Sequence, residues 1–239
     1  RRVYVAGLSA GGAMAATLDV LFPARPGSEE GTDWQKVACA LAARQAFSII
    51  TGGPGTGKTT TVVRLLALLQ HLALSSGPAM ASPLRSGLAA PTGKAAARLG
   101  ESIAGAVASL PFEQLSDGAA LRAAIPTTVS TVHRLLGSRP DTRHFRHDAR
   151  NPLPLDVLEL VAASLLDLEM MACVLAALRP QARLILLGDK DQLASVEAGA
   201  VLGDLCQRAD AGHYDGRTVQ WLQAVTGQQL DASLRDEAG

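Results

Sequence analysis

The segment 47–61, with the sequence FSIITGGPGTGKTTT, constrains the fold of this chain more than any other feature. An apolar run expected to form a strand leads into a glycine-rich turn, and a helical stretch follows. The pattern G-x-x-x-x-G-K-[ST], typical of phosphate-binding loops, is met by Gly52, Gly57, Lys58 and Thr59. Glycines let successive N–H groups converge on one anion, and the positive end of the next helix strengthens that attraction. The segment therefore predicts a nucleoside triphosphate site.

Individual roles within this loop follow from the chemistry of each residue. The Lys58 ammonium can reach the β- and γ-phosphates, and the Thr59 hydroxyl can ligate Mg²⁺. We therefore expect ATP and Mg²⁺ as ligands, with Lys58 as a catalytic residue and Thr59 as a metal ligand. The loop residues expected to bind the nucleotide are Gly53, Pro54, Gly55, Thr56, Gly57, Lys58, Thr59 and Thr60.

Apolar runs alternate with helical stretches along most of the chain. Strands are predicted at 3–6, 47–51, 87–90, 155–161 and 183–187, helices at 35–43, 59–72, 94–110 and 167–178, and loops at 23–32, 74–86 and 137–154. Such alternation is typical of βαβ units and a parallel sheet. Aromatic residues make up only 3%, so the core must consist of Ala, Leu and Val. We expect an α/β, three-layer P-loop NTPase domain with a mainly parallel sheet.

The bulk composition excludes few partners. Lys plus Arg and Asp plus Glu number 22 each, which gives no support for a nucleic-acid partner, although a local basic groove is compatible with overall neutrality. Cys39, Cys173 and Cys206 are widely spaced, so neither a disulfide framework nor a zinc site is expected, and a reducing cytoplasm is predicted. No apolar run is long enough to span a membrane. The sequence starts without Met or a signal-peptide pattern, and we expect a fragment of a longer protein.

Four further segments stand in order around the phosphate loop. They are TDWQKVACALA at 32–42, LAAPTGKAAARL at 88–99, TVHRLLG at 131–137 and LILLGDKDQLASVEAGAVLGDLC at 184–206. Their order and spacing resemble the motifs of superfamily 1 DNA helicases, specifically the RecD-like alpha subunit of exodeoxyribonuclease V. The likeness extends over about residues 18–234.

This resemblance implies roles for residues outside the loop. Gln35 is expected to contact the nucleotide base, and Gln192 to sense the γ-phosphate as a second catalytic residue. Thr92, Lys94 and His133 are expected to contact single-stranded DNA. Taken singly, Thr92 and Lys94 are also compatible with an ordinary solvated helix start, and His133 alone is more typical of a surface or core-edge histidine.

The resemblance also implies an organisation and a cellular role. Residues 32–239 would form a first RecA-like motor domain, with a second motor domain beyond the likeness, and 1–31 would be an N-terminal segment of uncertain origin. The whole protein would use ATP to move along single-stranded DNA in double-strand break repair and recombination. Its partners would be the beta and gamma helicase-nuclease subunits of exodeoxyribonuclease V. A different P-loop ATPase, such as a transposition or plasmid helicase, is the alternative, which the long segment 184–206 disfavours.

One departure from the family pattern concerns the strand predicted at 155–161. The family has Asp-Glu at its end, to order Mg²⁺ and to polarise the attacking water, where this chain has Val161 and Ala162. Glu159 is expected on the same side of the strand as Val161 but about 6–7 Å deeper, too far to replace the missing acids. A nucleotide-binding module without turnover is therefore a second hypothesis.

A second departure lies at the N-terminus. Residues 7–11 form a G-x-S-x-G pattern between an apolar run and a helical stretch, as in a nucleophile elbow. The first 17 or so residues resemble polyhydroxybutyrate depolymerases and related esterases. A serine esterase using Ser9 is thus a third hypothesis, disfavoured because the acid and histidine of a triad would have to come from a sheet that already resembles a nucleotide-binding one.

Overall fold

The computed structural model describes residues 8–23, 31–76, 82–140, 142, 144–189, 198–206 and 214–234. The helices described are α1 (Leu8–Leu21), α2 (Trp34–Arg44), α3 (Lys58–Leu74), α4 (Gly93–Ser109), α5 (Gly118–Ala124), α6 (Val132–Leu136), α7 (Leu168–Ala177), α8 (Ala198–Leu205) and α9 (Gly216–Thr226). The strands are β1 (Phe47–Thr51), β2 (Ser86–Ala90), β3 (Ser130–Thr131), β4 (Val157–Val161) and β5 (Arg183–Gly188). Short 3₁₀ turns occupy Phe112–Gln114, Ala163–Leu165 and Ala232–Leu234.

The strands form one parallel sheet with the order β1-β5-β4-β2-β3. Thr51 pairs with Gly188, Val161 with Leu187, and Ala90 with the last residue of β3. All five strands consequently end along one side of the sheet, the carboxyl edge, where open α/β sheets bind ligands. The predicted α/β fold with a parallel sheet is confirmed.

Two apolar cores lie on opposite faces of this sheet. Alternate residues of β4 divide between them, because successive side chains of a strand point to opposite faces. Val157 belongs to the first core, which also holds residues of α1, α2, α3, α4 and α9, whereas Leu158 and Leu160 belong to the second, with residues of α6, α7 and α8. Helix α1 belongs to the first core through Met14 and Leu18, whose side chains are completely buried, and it contacts α3 and α9. The sheet thus lies between two helical layers.

The predicted element boundaries hold to within two residues where the chain is described. Strand β4 begins at Val157 instead of residue 155, because the Asp156 carboxylate accepts hydrogen bonds from the backbone and guanidinium of Arg85. Helix α7 begins one residue after Asp167, which caps it by accepting from the Met170 N–H. The strand predicted at 3–6 lies outside the described residues. No helix in the described part of the chain is long and apolar enough to cross a membrane.

Candidate nucleotide-binding site

The phosphate loop occupies the turn between β1, which ends at Thr51, and α3, which begins at Lys58. Gly55 and Gly57 have φ angles of 76° and 77°, a left-handed conformation that residues with a Cβ rarely adopt. Gly57 also caps α3, so the left-handed residue stands directly before the positive end of a 17-residue helix. The sequence pattern and the backbone geometry therefore agree on an anion-binding turn.

Hydrogen bonds fix the shape of this loop. The Gly52 N–H donates to the Gly188 carbonyl at 3.3 Å, which ties the start of the loop to the end of β5. The Thr56 hydroxyl donates to the Gly53 carbonyl at 2.9 Å and closes the turn. A Cβ on Gly52 would stand 2.8 Å from the Thr56 hydroxyl oxygen, so glycine is also required there by close approach. The loop is thus preorganised before any ligand binds.

Lys58, the predicted catalytic lysine, contacts the phosphate loop. The half-buried Lys58 Nζ donates to the carbonyls of Gly52 at 2.5 Å and Gly53 at 2.7 Å. Phosphate oxygens placed in the loop would compete with these carbonyl oxygens for the ammonium group. Thr59 follows in the first turn of α3 and is half-buried.

Gln35, expected to contact the base, lies against the same loop. Its Nε2 donates to the Thr56 carbonyl at 2.8 Å, and its Oε1 accepts from the Arg64 guanidinium at 3.4 Å. Arg64 in turn stacks on the Phe22 ring with its guanidinium carbon 4.5 Å from the ring centroid. Sequence reasoning missed Arg64, since a lone arginine on a helix carries no signal of its own. Together Gln35 and Arg64 form a polar wall beside the loop.

The end of β4 reaches the carboxyl edge two strands away from the loop. Val161 packs against the first core, and Ala162 adopts the left-handed conformation with φ 55° before the 3₁₀ turn Ala163–Leu165. Neither side chain carries an oxygen that could order a metal ion or a water molecule. Among the described residues no group of three or more His, Cys, Asp or Glu side chains could hold a metal ion. Thr59 remains the predicted metal ligand.

Glu159 lies two residues before the end of β4, in the core. Its side chain is completely buried, and neither carboxylate oxygen has a hydrogen-bond partner. Burial raises the pKa of this carboxyl group well above its usual range. A residue two positions before the end of a strand lies about 6–7 Å from the carboxyl edge.

The predicted DNA contacts lie together at the carboxyl edge. Because Ala90 pairs with Thr131, helices α4 and α6 begin just after the ends of two neighbouring strands. Thr92 caps α4 by accepting from its third residue at 3.2 Å, and Lys94 and His133 are exposed in the first turns of the two helices. Gln192 lies outside the described residues, as does the side chain of Ser9, whose backbone belongs to α1.

The chain is similar to known proteins over most of its length. A family model described as an AAA domain matches residues 35–198. The RecBCD enzyme subunit RecD of Haemophilus influenzae is 50% identical over 208 residues, covering 87% of this chain and 31% of that protein. The RecD subunit of Mycolicibacterium smegmatis is 52% identical over 178 residues, covering 74% and 30%. The ATP-dependent RecD2 DNA helicase of Deinococcus radiodurans is 40% identical over 161 residues, covering 67% and 18%.

This chain spans about a third of the length of the RecD subunits that it matches. The likeness inferred from the order of the motifs is confirmed by these identities.

Proposed function

Because the chain belongs to the AAA domain family, we propose that it is the ATP-binding motor domain of a RecD-like DNA helicase subunit. The observation that carries this proposal is the loop between β1 and α3. The left-handed Gly55 and Gly57, the start of α3 and the Lys58 ammonium, which is hydrogen-bonded to the loop carbonyls, together form a phosphate-binding site. The ATP phosphates would lie against the loop residues 53–60, with Lys58 on the β- and γ-phosphates.

The remaining ligand contacts follow from the neighbouring residues. Gln35 would contact the base, because its amide already lies on the loop. Mg²⁺ would bind through the Thr59 hydroxyl and the nucleotide phosphates, a donor set that fits its preference for hard oxygens. Gln192 would sense the γ-phosphate.

We further propose that this chain binds ATP but hydrolyses it poorly. Binding requires the loop amides and Lys58, whereas hydrolysis also requires an ordered metal ion and a water molecule aimed at the γ-phosphate. The side chains at the end of β4 are those of Val161 and Ala162, which do neither. Losing one such group costs about 10²–10³ in rate. Val161 and Ala162 therefore favour a motor domain that binds the nucleotide without turnover.

The RecD relatives that this chain matches are RecBCD enzyme subunits, and we propose a corresponding role for the whole protein. Single-stranded DNA would cross the carboxyl edge at Thr92, Lys94 and His133. The whole protein would work with beta and gamma subunits in double-strand break repair and recombination, as a RecBCD enzyme subunit. The described cysteines are all free thiols, which fits a reducing cytoplasm.

A nucleotide titration tests the proposed site. Fluorescent ATP is titrated into the unmodified chain, into Lys58→Ala, and into Arg217→Ala, which removes an equal charge from the exposed surface of α9. Hydrogen bonds to charged groups contribute about 1.5–3 kcal/mol, so Lys58→Ala should weaken binding by about tenfold or more. Arg217→Ala should bind as the unmodified chain does. Equal affinities for all three proteins would show that the loop is not the site.

A further inference from the structure

The described residues of the segment that links α6 to β4 form neither helix nor strand, yet hydrogen bonds fix their positions. The Arg146 N–H donates to the Gly137 carbonyl and the His147 N–H to the Leu136 carbonyl, both at 2.9 Å. These bonds return the chain to the end of α6, where Gly137 has a left-handed φ of 75°. The segment predicted as a plain loop is therefore a shaped surface structure.

A second set of bonds shapes the rest of this segment. The Asp148 Oδ1 accepts from the backbone N–H groups of Arg150 at 2.8 Å and Asn151 at 2.9 Å. The Asn151 side-chain amide donates to the Arg146 carbonyl at 2.8 Å. Asp148 and Asn151 are thus engaged with the backbone, and Arg139, Arg146 and Arg150 of this segment are exposed.

Four exposed arginines form what we name the basic surface: Arg134, Arg139, Arg146 and Arg150. None of their guanidinium groups forms a hydrogen bond or an ion pair with another residue in the described ranges. Arg150 and Arg139 both lower the pKa of the Asp148 carboxyl by their charge, after the two backbone hydrogen bonds, so both lie close to that residue. Positive charge is concentrated here although the whole chain is neutral.

The basic surface is joined to the carboxyl edge by a ring contact. The His133 and Phe145 rings meet edge to face, with centroids 5.9 Å apart. His133 stands in the first turn of α6 at the carboxyl edge, and Phe145 directly precedes Arg146. A strand that touches His133 would therefore lie beside the half-buried Phe145, which directly precedes Arg146.

We propose that the basic surface binds the phosphates of single-stranded DNA and carries the strand from His133 away from the carboxyl edge. Guanidinium groups suit this role because they bind phosphate oxygens in pairs and release counterions in doing so. An aromatic ring beside such a row gives a base a surface to stack on. The identity of the strand as DNA rests on the proposed function, whereas its phosphate contacts rest on the basic surface alone.

Salt-dependent binding of a fluorescent thymidine oligonucleotide tests this proposal. The variant Arg139→Gln, Arg150→Gln removes two charges from the basic surface. The matched control Arg122→Gln, Arg217→Gln removes two exposed arginines from α5 and α9. Each lost contact to a single strand should lower the slope of log affinity against log salt by about 0.7, hence about 1.4 for the pair and about tenfold or more in affinity at 0.1 M salt. The control pair should keep the affinity and slope of the unmodified chain.

The possible outcomes separate this proposal from the proposed function. Equal losses in both pairs, no loss in either, or no binding by the unmodified chain at low salt would overturn the basic surface. Binding that is weakened by the double variant Thr92→Ala, Lys94→Ala but not by Arg139→Gln, Arg150→Gln would support the DNA contacts at the carboxyl edge. The same result would overturn the basic surface. Tighter binding of a single-stranded RNA of equal length would overturn the assignment to DNA. The nucleotide titration with Lys58→Ala is independent of all these results.

Discussion

Glu159 is expected to destabilise the chain that contains it, and leucine at this position should therefore increase the free energy of unfolding. The carboxyl group lies in the middle of β4, fully buried between Leu88 of β2 and Ile185 of β5, and neither oxygen has a hydrogen-bond partner. A buried polar group without a partner costs about 1–3 kcal/mol. Leucine has a similar volume and adds apolar surface to the first core, so it should fit with little strain.

The increase in the free energy of unfolding caused by Glu159→Leu should depend on pH, because the pKa of Glu159 is raised in the folded chain. Between the pKa of glutamate in the unfolded chain, about 4.3, and the raised pKa in the folded chain, the folded state holds one proton more than the unfolded state. Stability of the unmodified chain should therefore fall as the pH rises through this window, by about 1.4 kcal/mol for each unit. The advantage of Glu159→Leu should therefore grow as the pH rises through this window.

Urea unfolding at pH 5, 6 and 7 measures these differences. Glu159→Gln keeps a polar group in the core but cannot titrate, so it should lose the pH dependence and keep part of the desolvation cost. Glu101→Leu makes the same substitution on the exposed surface of α4 and should change stability by no more than about 0.5 kcal/mol at any pH. An unfolding free energy for Glu159→Leu that is equal to or below that of the unmodified chain at pH 7, or a gain that is the same at every pH, would refute the reasoning.

Three further predictions concern other sites. Cys39, whose pKa burial raises and whose thiol donates to the Thr61 carbonyl at 3.4 Å, should resist iodoacetamide in the folded chain and react only after unfolding, as mass spectrometry of the alkylated peptides would show. Asp156→Asn should lower the free energy of unfolding by about 0.5–1 kcal/mol at pH 7, because the Arg85 guanidinium holds the pKa of Asp156 below its usual range. The stability that this pair contributes should disappear as the pH falls through the lowered pKa of Asp156. Identical acid denaturation curves for the two proteins would contradict this prediction. Gly57→Ala should destabilise the chain by about 1 kcal/mol and weaken ATP binding, since alanine tolerates φ 77° poorly; unchanged thermal unfolding and nucleotide titration would count against the strained turn.

The sequence was sufficient to predict the parts of this molecule that depend on local pattern. The strand, the turn at Gly57 and the helix that follows it are encoded in one contiguous segment, 47–74, and their positions agree with the structure to within two residues. The side of β4 that Glu159 faces follows from the alternation of a strand, because Val157 and Val161, on the same side, pack in the first core and Glu159 is completely buried. The periodic segments were long enough for the helices at 34–44, 58–74 and 93–109 to be predicted within two residues.

Short elements and distant contacts could not be predicted in this way. Strand β3 has two residues and α6 has five, too few for a period to be detected. Strand β3 forms because β2 offers an edge to pair with, and α6 follows it with Thr131 as its N-cap. The Arg85–Asp156 pair joins residues 71 positions apart, and nothing in a single sequence records such a partner. The shape of the segment that carries the basic surface likewise depends on bonds from Arg146 and His147 back to α6. The sequence shows the charges of this segment but not how the chain brings them together.

The central claim, that this chain holds ATP without turning it over, is tested most directly by measuring ATP binding and phosphate release on one preparation. Both are followed with Mg²⁺ and saturating single-stranded DNA, and compared with Lys58→Ala and with Val161→Asp, Ala162→Glu. We predict saturable binding by the unmodified chain that Lys58→Ala weakens, together with phosphate release that the DNA does not stimulate. DNA-stimulated phosphate release by the unmodified chain that Lys58→Ala abolishes would contradict the claim, and would assign the catalytic carboxylate to a residue other than those at the end of β4.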